Sequence, residues 1–288
     1  MEFSSFVLFF LNGLTFGIVL FLIASGLSLI FGVLGVLNFA HGTLYMLGAY
    51  LTFWALGFFG NYWTALLIAP LLVALFGSAV EVFLLRPVYR RPVAYQLLLT
   101  FGVILVVTDL VKIIWGVSYR SIPYPALLAG SIPILGRGYP KYNLFIVSSG
   151  LLTAFGLWFL LQRTRYGRLI RAAASDREMA SALGVRVPRL FTAVFIFGSW
   201  LGGLGGALAS PLGSLSLDMA VRIIVEAFAI VVIGGLGSLP GALIGSFLIG
   251  QLEAFGILLI PRFHMAFIFM LMAVVLIVRP RGLLGRAI

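Results

Sequence analysis

The 288-residue chain contains no cysteine. Disulfides, thiolate nucleophiles and cysteine-held metals are therefore excluded. Charge is also scarce: 9% of residues are Asp, Glu, Lys or Arg, against roughly 25% in a soluble domain. The two histidines, His41 and His264, stand too far apart in sequence to form a metal-ligand spacing. No Gly-x-x-x-x-Gly-Lys stretch occurs, so the chain does not itself hydrolyse ATP. No nucleic-acid motif accompanies the net charge of +11 or the pI of about 10.6. The arginines lie in a few short stretches between apolar runs, where they report membrane topology.

What remains is oil. Hydrophobic residues make up 62% of the sequence and the mean hydropathy is +1.18, which defines an all-α polytopic membrane protein. Apolar runs cover Phe6 to Phe31, Thr43 to Phe59, Tyr62 to Leu85, Ala94 to Trp115 and Leu144 to Leu161. They continue with Leu190 to Leu212, Arg222 to Gly235, Ala242 to Ile260 and Met265 to Val278. Most reach the 20 or so residues that a straight crossing needs. Two are shorter, as discontinuous or re-entrant helices are. Eight or nine spans in one permease-type domain, residues 1–288, are expected.

The N-terminus carries Glu2 and no basic residue, unlike the start of a signal peptide. The first basic residue is Arg86, joined by Arg90 and Arg91. A second basic stretch fills a loop at 162–189, and Arg279, Arg281 and Arg286 mark the tail. By the positive-inside rule these belong to the cytoplasm. Nine spans then leave the N-terminus outside, together with the Pro-, Gly- and Tyr-rich loop 116–143. In the fourth run Asp109 and Lys112 are spaced to meet across one helical turn. They read as a self-neutralising pair, with an ion or proton relay as the sharper alternative.

The longest polar interval, Tyr166 to Pro188, reads as a short capped helix. Ser175 is placed to cap it, with Glu178 three residues on completing a capping box. Gly184 supplies a left-handed stop and Pro188 prevents resumption. The helix, Asp176 to Leu183, would be about 12 Å long, with Met179, Ala182 and Leu183 on one apolar side. Such a helix between two spans can receive a push from a soluble partner. A plain positively charged loop explains the arginines equally well.

Two glycine breaks echo each other. Gly32-Val33-Leu34-Gly35-Val36-Leu37 matches Gly234-Gly235-Leu236-Gly237-Ser238-Leu239 at four of six positions, with Gly42 and Gly241 soon after. Internal repeats of this kind build transporters, whose substrate path lies between the halves. Gly32, Gly35, Asn38, His41, Gly42 and Tyr45, with Gly235, Gly237, Pro240 and Gly241, are the expected path and helix-break residues. Close helix packing is the competing account of the glycines.

Three separated blocks carry a resemblance that covers nearly the whole chain. They are GLSLIFGVLGVLNFAHGTLYMLGAY (Gly26 to Tyr50), IRAAASDREMASALGV (Ile170 to Val185) and VVIGGLGSLPGALIG (Val231 to Gly245). The sequence resembles the branched-chain amino acid ABC transporter permeases, specifically the H-type subunit of the leucine/isoleucine/valine importer. The M-type partner differs where this chain reads Asn38-Phe39-Ala40-His41-Gly42. The resemblance implies alternating access without a cofactor in a bacterial inner membrane. Its implied partners are a second permease, two cytoplasmic ATPases and an extracytoplasmic binding protein. It also implies that the helix spanning Ser175, Asp176, Glu178, Met179, Leu183 and Gly184 docks on an ATPase.

Permeases for urea and short-chain amides share these motifs, so the substrate stays open between the two. An ion-coupled secondary transporter would need carboxylates at the midplane, whereas Glu81, Asp109, Glu226 and Glu253 each read as lying toward the end of an apolar run. A membrane enzyme would need a catalytic set. Asn38 and His41 have no nucleophile or metal cluster beside them, and His41 reads as a hydrogen-bonded residue holding a helix break.

Overall fold

Helix α1, Phe3–Leu34, is apolar on every side, and every residue from Gly17 to Ile30 is buried. A helix without a polar face has to be surrounded, and α1 becomes the hub of the bundle. The computed structural model describes residues 2–89, 91–259 and 261–285. Arg90, Ile260 and Arg286, named above from the sequence, lie outside them.

Against α1 runs α10, Leu239–Leu259. The two approach through small residues: a Cβ on Gly17 would come within 2.8 Å of the Ser246 carbonyl oxygen, and one on Gly250 within 2.6 Å of the Gly17 Cα. Apolar helices in lipid gain little by hiding from it, so close backbone approach supplies the contact. Helix α2, His41–Phe59, packs on α1 and on α8, Val187–Ala209. Helix α3, Tyr62–Ala79, runs on into a π-helical stretch, Val80–Leu85, and a 3-10 turn, Arg86–Val88.

Helices α4, Val93–Trp115, and α5, Lys141–Arg163, form the outer layer. They expose Leu98, Phe101, Ile113, Leu152 and Phe155, a surface suited to acyl chains. Tyr62 and Tyr142 tie α3, α5 and α8 together: their hydroxyls meet at 2.6 Å, and they donate to the Ala207 and Leu208 carbonyls at 3.2 and 2.8 Å. Polar groups without water must find such partners inside the protein.

Seven described helices are long and apolar enough to cross a membrane. Helices α9, Met219–Gly234, and α11, His264–Val278, have 16 and 15 residues and are the short segments anticipated from the sequence. The helices reach further into the loops than hydropathy suggests. The segment between α4 and α5 is 116–140 rather than 116–143, because Lys141, Tyr142 and Asn143 already belong to α5. It holds an antiparallel hairpin of β1, Ser131–Ile134, and β2, Arg137–Pro140.

The bundle has two distinct ends. At one, Arg137 pairs with Glu2 at 2.8 Å, Tyr139 donates to the Leu11 carbonyl, and Arg120 bridges to Leu215. At the other gather both glycine breaks, the arginine-rich segment and the C-terminal tail.

In the arginine-rich segment, Arg165–Ser175 forms its own helix, α6, begun by Thr164, whose hydroxyl accepts from the Gly167 N–H at 3.1 Å. The short helix that follows is α7, Arg177–Ala182. Its cap is Asp176, not Ser175: the Asp176 carboxylate accepts from the Met179 N–H at 2.9 Å. Ser175 is the last residue of α6, already in helical conformation, and a capping residue must leave that conformation. With the cap moved by one residue, the Ser175–Glu178 capping box does not form. Gly184 stops the segment at φ 85° as expected.

Candidate functional site: two glycine breaks and the elements that clasp them

Helix α1 ends at Gly35, which adopts φ 66° and donates its N–H to the Phe31 carbonyl at 2.8 Å. This left-handed stop suits glycine because a Cβ would be strained there. The chain then turns back, and α2 begins inside the bundle. The His41 side chain is fully buried, and its Nε2 donates to the Ile23 carbonyl at 3.1 Å. A carbonyl can only accept, so the hydrogen sits on Nε2, and Nδ1 has no partner among the described residues. A Cβ on Gly26 would come within 2.9 Å of that Nε2, so the imidazole occupies space that α1 leaves by lacking a side chain. Gly42 lies against the Ala220 carbonyl of α9, and Tyr45 is buried beside Gly205 of α8. Asn38 is buried with its Oδ1 unpartnered, and its backbone carbonyl accepts from the His41 N–H.

The second break follows α9. Gly235 and Gly237 take φ 100° and 78°, and α10 starts two residues later. Here the sequence echo acquires a spatial meaning. A Cβ on Gly32 would come within 2.9 Å of the Gly237 Cα, so the two breaks press backbone against backbone. Gly241 packs on Gly234, while Pro240 is exposed in the first turn of α10.

Each break is held from the same end of the bundle. At the first, Arg177 of α7 donates Nη2 to the Leu34 carbonyl at 2.7 Å and lies 3.4 Å from the Val33 carbonyl. These are among the last carbonyls of α1, which have no N–H one turn further on. A guanidinium there is favoured by its charge and by the negative end of the helix. A hydrogen bond to a charged group contributes about 1.5–3 kcal/mol. At the second, the Leu283 and Leu284 N–H groups donate to the Ile233 and Gly234 carbonyls of α9 at 2.8 and 3.0 Å.

Helix α7 rests on α6 and α8 through Ala180, which packs with Ala173 and Leu190. Its other side is open: Met179 and Leu183 are 58% and 77% exposed. Ala182 and Glu178 are exposed as well. The apolar face read from the sequence is therefore free for a partner.

The acidic residues are distributed differently from expectation. Asp109 and Lys112 both face outward, and among the described residues neither forms an ion pair. The spacing allows a meeting that the side chains do not make here. Glu81, fully buried, is paired with Arg86 at 2.9 Å and accepts from the Tyr89 hydroxyl at 2.9 Å, and Arg86 also donates to Thr192. Sequence reading missed this cluster; its trace is the five-residue Glu81–Arg86 spacing, which a π-helical turn brings together. Glu226 does not lie toward the end of its helix. It is buried midway along α9, within electrostatic reach of Glu253 and Arg222, and its Oε2 has no hydrogen-bond partner among the described residues. Hydropathy marks the apolar run only from Arg222, whereas α9 starts at Met219.

The geometry is thus a membrane bundle whose two broken helix pairs touch and are gripped from one side. No solved structure matches the chain. BraD of Pseudomonas aeruginosa, a high-affinity branched-chain amino acid transport system permease protein, is 30% identical over 96% of this chain and 94% of its own length. LivH of Escherichia coli K12, which carries the same description, is likewise 30% identical over 96% of this chain and 94% of its own length. A fructose import permease protein, FrcC of Rhizobium meliloti, is 34% identical over 33% of this chain and 28% of its own length. The family model for the branched-chain amino acid transport system permease component matches residues 9–276. That match takes in both glycine breaks and the arginine-rich segment between them, and the chain belongs to this family.

Proposed function

We propose that this chain is the H-type permease subunit of an ABC importer that moves branched-chain or related hydrophobic amino acids inward by alternating access. It would work with a second permease subunit, two ATPases and a substrate-binding protein on the opposite side. The arginine-rich end would face the cytoplasm and the hairpin end the outside, with an N-terminus outside and a C-terminus inside. The observation that carries this reading is the exposed Met179–Leu183 face on a capped helix at the arginine-rich end. A short rigid helix with an uncovered apolar side suits docking into a groove of a motor subunit. The path residues would be those of the two touching breaks, from Gly32 to Tyr45 and from Gly235 to Gly241.

Full-length relatives named for branched-chain amino acids support that substrate class. The partial likeness to a fructose permease fits an architecture whose selectivity resides largely in the binding protein. A second reading, an ion-coupled transporter, draws on the buried mid-helix Glu226 with its unpartnered oxygen.

The test is reconstitution of the chain with its partner permease, ATPases and binding protein in proteoliposomes. Leucine uptake is expected to require ATP and to persist when ion gradients are collapsed. Association with the ATPases should be lost in Met179→Asp/Leu183→Asp. Uptake driven by an ion gradient without ATP would establish the second reading. ATP-driven uptake of urea in preference to leucine would move the substrate to the short-chain amides.

A further inference from the structure

Arg177 joins the two parts of the molecule that the proposed function needs to communicate. It is the first residue of α7, next to the Asp176 cap. Its guanidinium leaves that helix to reach the Leu34 carbonyl at 2.7 Å and the Val33 carbonyl at 3.4 Å. A Cβ on Gly35 would come within 3.1 Å of the same Nη2, so the absence of a side chain at the α1 stop is what admits the arginine. The flat guanidinium also lies over the Phe191 ring of α8, with its carbon 5.2 Å from the ring centroid. A cation over a ring face is attracted to it, which adds to the hold on the arginine while it reaches the carbonyls.

The neighbouring arginines do different work. Arg171 donates to the Leu161 carbonyl of α5, and Arg86 is occupied by Glu81 and Thr192. Arg177 alone among these three runs from α7 to α1. The carbonyls it holds lie in the same last turn of α1 as Gly32, and Gly32 touches Gly237. Helix α7 also rests on α6 and α8 through Ala180, but Arg177 is the side chain that reaches from α7 to the carbonyls at the end of α1.

We propose that Arg177 is a positioning residue that clasps α7 to the C-terminal end of α1, so that movement of the short helix is delivered to the Gly32–Gly237 contact. The proposal rests on the reading of α7 as the ATPase-docking helix and adds the route by which its movement leaves it. Both carbonyl contacts come from one nitrogen, Nη2, so the role needs the reach and charge of the guanidinium and its seat over Phe191. Lysine would keep the charge but not the shape of the guanidinium seated over Phe191, and glutamine would keep neither the charge nor the reach.

The experiment uses the full reconstituted complex and measures leucine transported per ATP hydrolysed, with ATPase association measured in parallel. Loss of one charge-assisted bond corresponds to about tenfold. Arg177→Gln is therefore expected to lower the transport-to-hydrolysis ratio about tenfold with association unchanged, and Arg177→Lys to fall between it and wild type. Phe191→Leu keeps an apolar packing group and removes the ring; it is expected to lower the same ratio, with no further loss when combined with Arg177→Gln, because both act through one contact.

A wild-type ratio in Arg177→Gln overturns the clasp. If Arg177→Gln does not assemble, Phe191→Leu decides, and a wild-type ratio there overturns it as well. Met179→Asp/Leu183→Asp keeps the two readings apart. If that variant loses ATPase association while Arg177→Gln stays coupled, only the clasp fails. If the Met179 and Leu183 changes have no effect on association, the docking role of α7 fails first.

Discussion

Gly32 and Gly237 each occupy the space in which the other's side chain would stand: a Cβ on either would come within 2.9 Å of the other's Cα. They are 205 positions apart, one in the last turn of α1 and the other in the break before α10. This contact joins the two halves of the sequence echo and makes the breaks a single structural unit.

Substitutions at the contact should therefore act in a graded way. Gly32→Ala must push back the Gly237 backbone, since an approach of 2.9 Å is one that carbon atoms do not tolerate. Gly237→Ala adds the strain of a left-handed conformation at φ 78°, about 1 kcal/mol or more. We expect Gly237→Ala to lower uptake more than Gly32→Ala, and the valines to abolish it in correctly inserted protein. Gly57, with nothing within 4 Å of an added Cβ, is the matched control, and Gly57→Ala should transport normally. Uptake assays normalised to membrane-inserted protein would check the order.

The orientation of the bundle can be tested without background, because the chain has no cysteine to remove. Single cysteines at Ser131 of the hairpin and Ser181 of α7 occupy exposed positions at opposite ends. In intact cells a membrane-impermeant thiol reagent should label Ser131→Cys and leave Ser181→Cys unmodified until the membrane is opened. Labelling of Ser181→Cys from outside would reverse the orientation and remove the ATPase-facing role of α7.

The helical fold was legible because lipid imposes long apolar runs and bounds their ends with arginine, glycine and proline. The helix stop at Gly184 is legible because a left-handed stop depends on a single residue's own conformational freedom, whereas Gly35 reads only as part of a glycine break. The helix α6 was not read, since Arg165, Arg168 and Arg171 look like loop charges until the Thr164 cap is recognised. The clasp was invisible for a different reason. Arg177 looks like any other cytoplasmic arginine, and its partners, the Val33 and Leu34 carbonyls, leave no mark in the sequence because backbone groups are the same at every position. The echo suggested related breaks, but only packing could bring Gly32 to Gly237. The position of Glu226 was misjudged because hydropathy ends a run at the first charge, while the helix continues through Arg222.

The cap of α7 separates two neighbouring residues that sequence patterns treat almost alike. Asp176 accepts from the Met179 N–H at 2.9 Å, whereas Ser175 ends α6 with its side chain exposed. Asp176→Ala should remove about 1 kcal/mol of helix stability, enough to fray a helix of six residues. Ser175→Ala should be neutral, since alanine is favoured in a helical last turn. If α7 must be ordered to present Met179 and Leu183, Asp176→Ala will weaken ATPase association about fivefold, a cost of this size. Asp176→Asn, which keeps a capping oxygen, should restore most of it. Titration of the purified ATPase against the permease in nanodiscs would resolve these differences. Equal affinities for Asp176→Ala and Ser175→Ala would mean that the order of α7 does not limit docking, whereas rescue by asparagine would assign the effect to the cap and not to the lost negative charge.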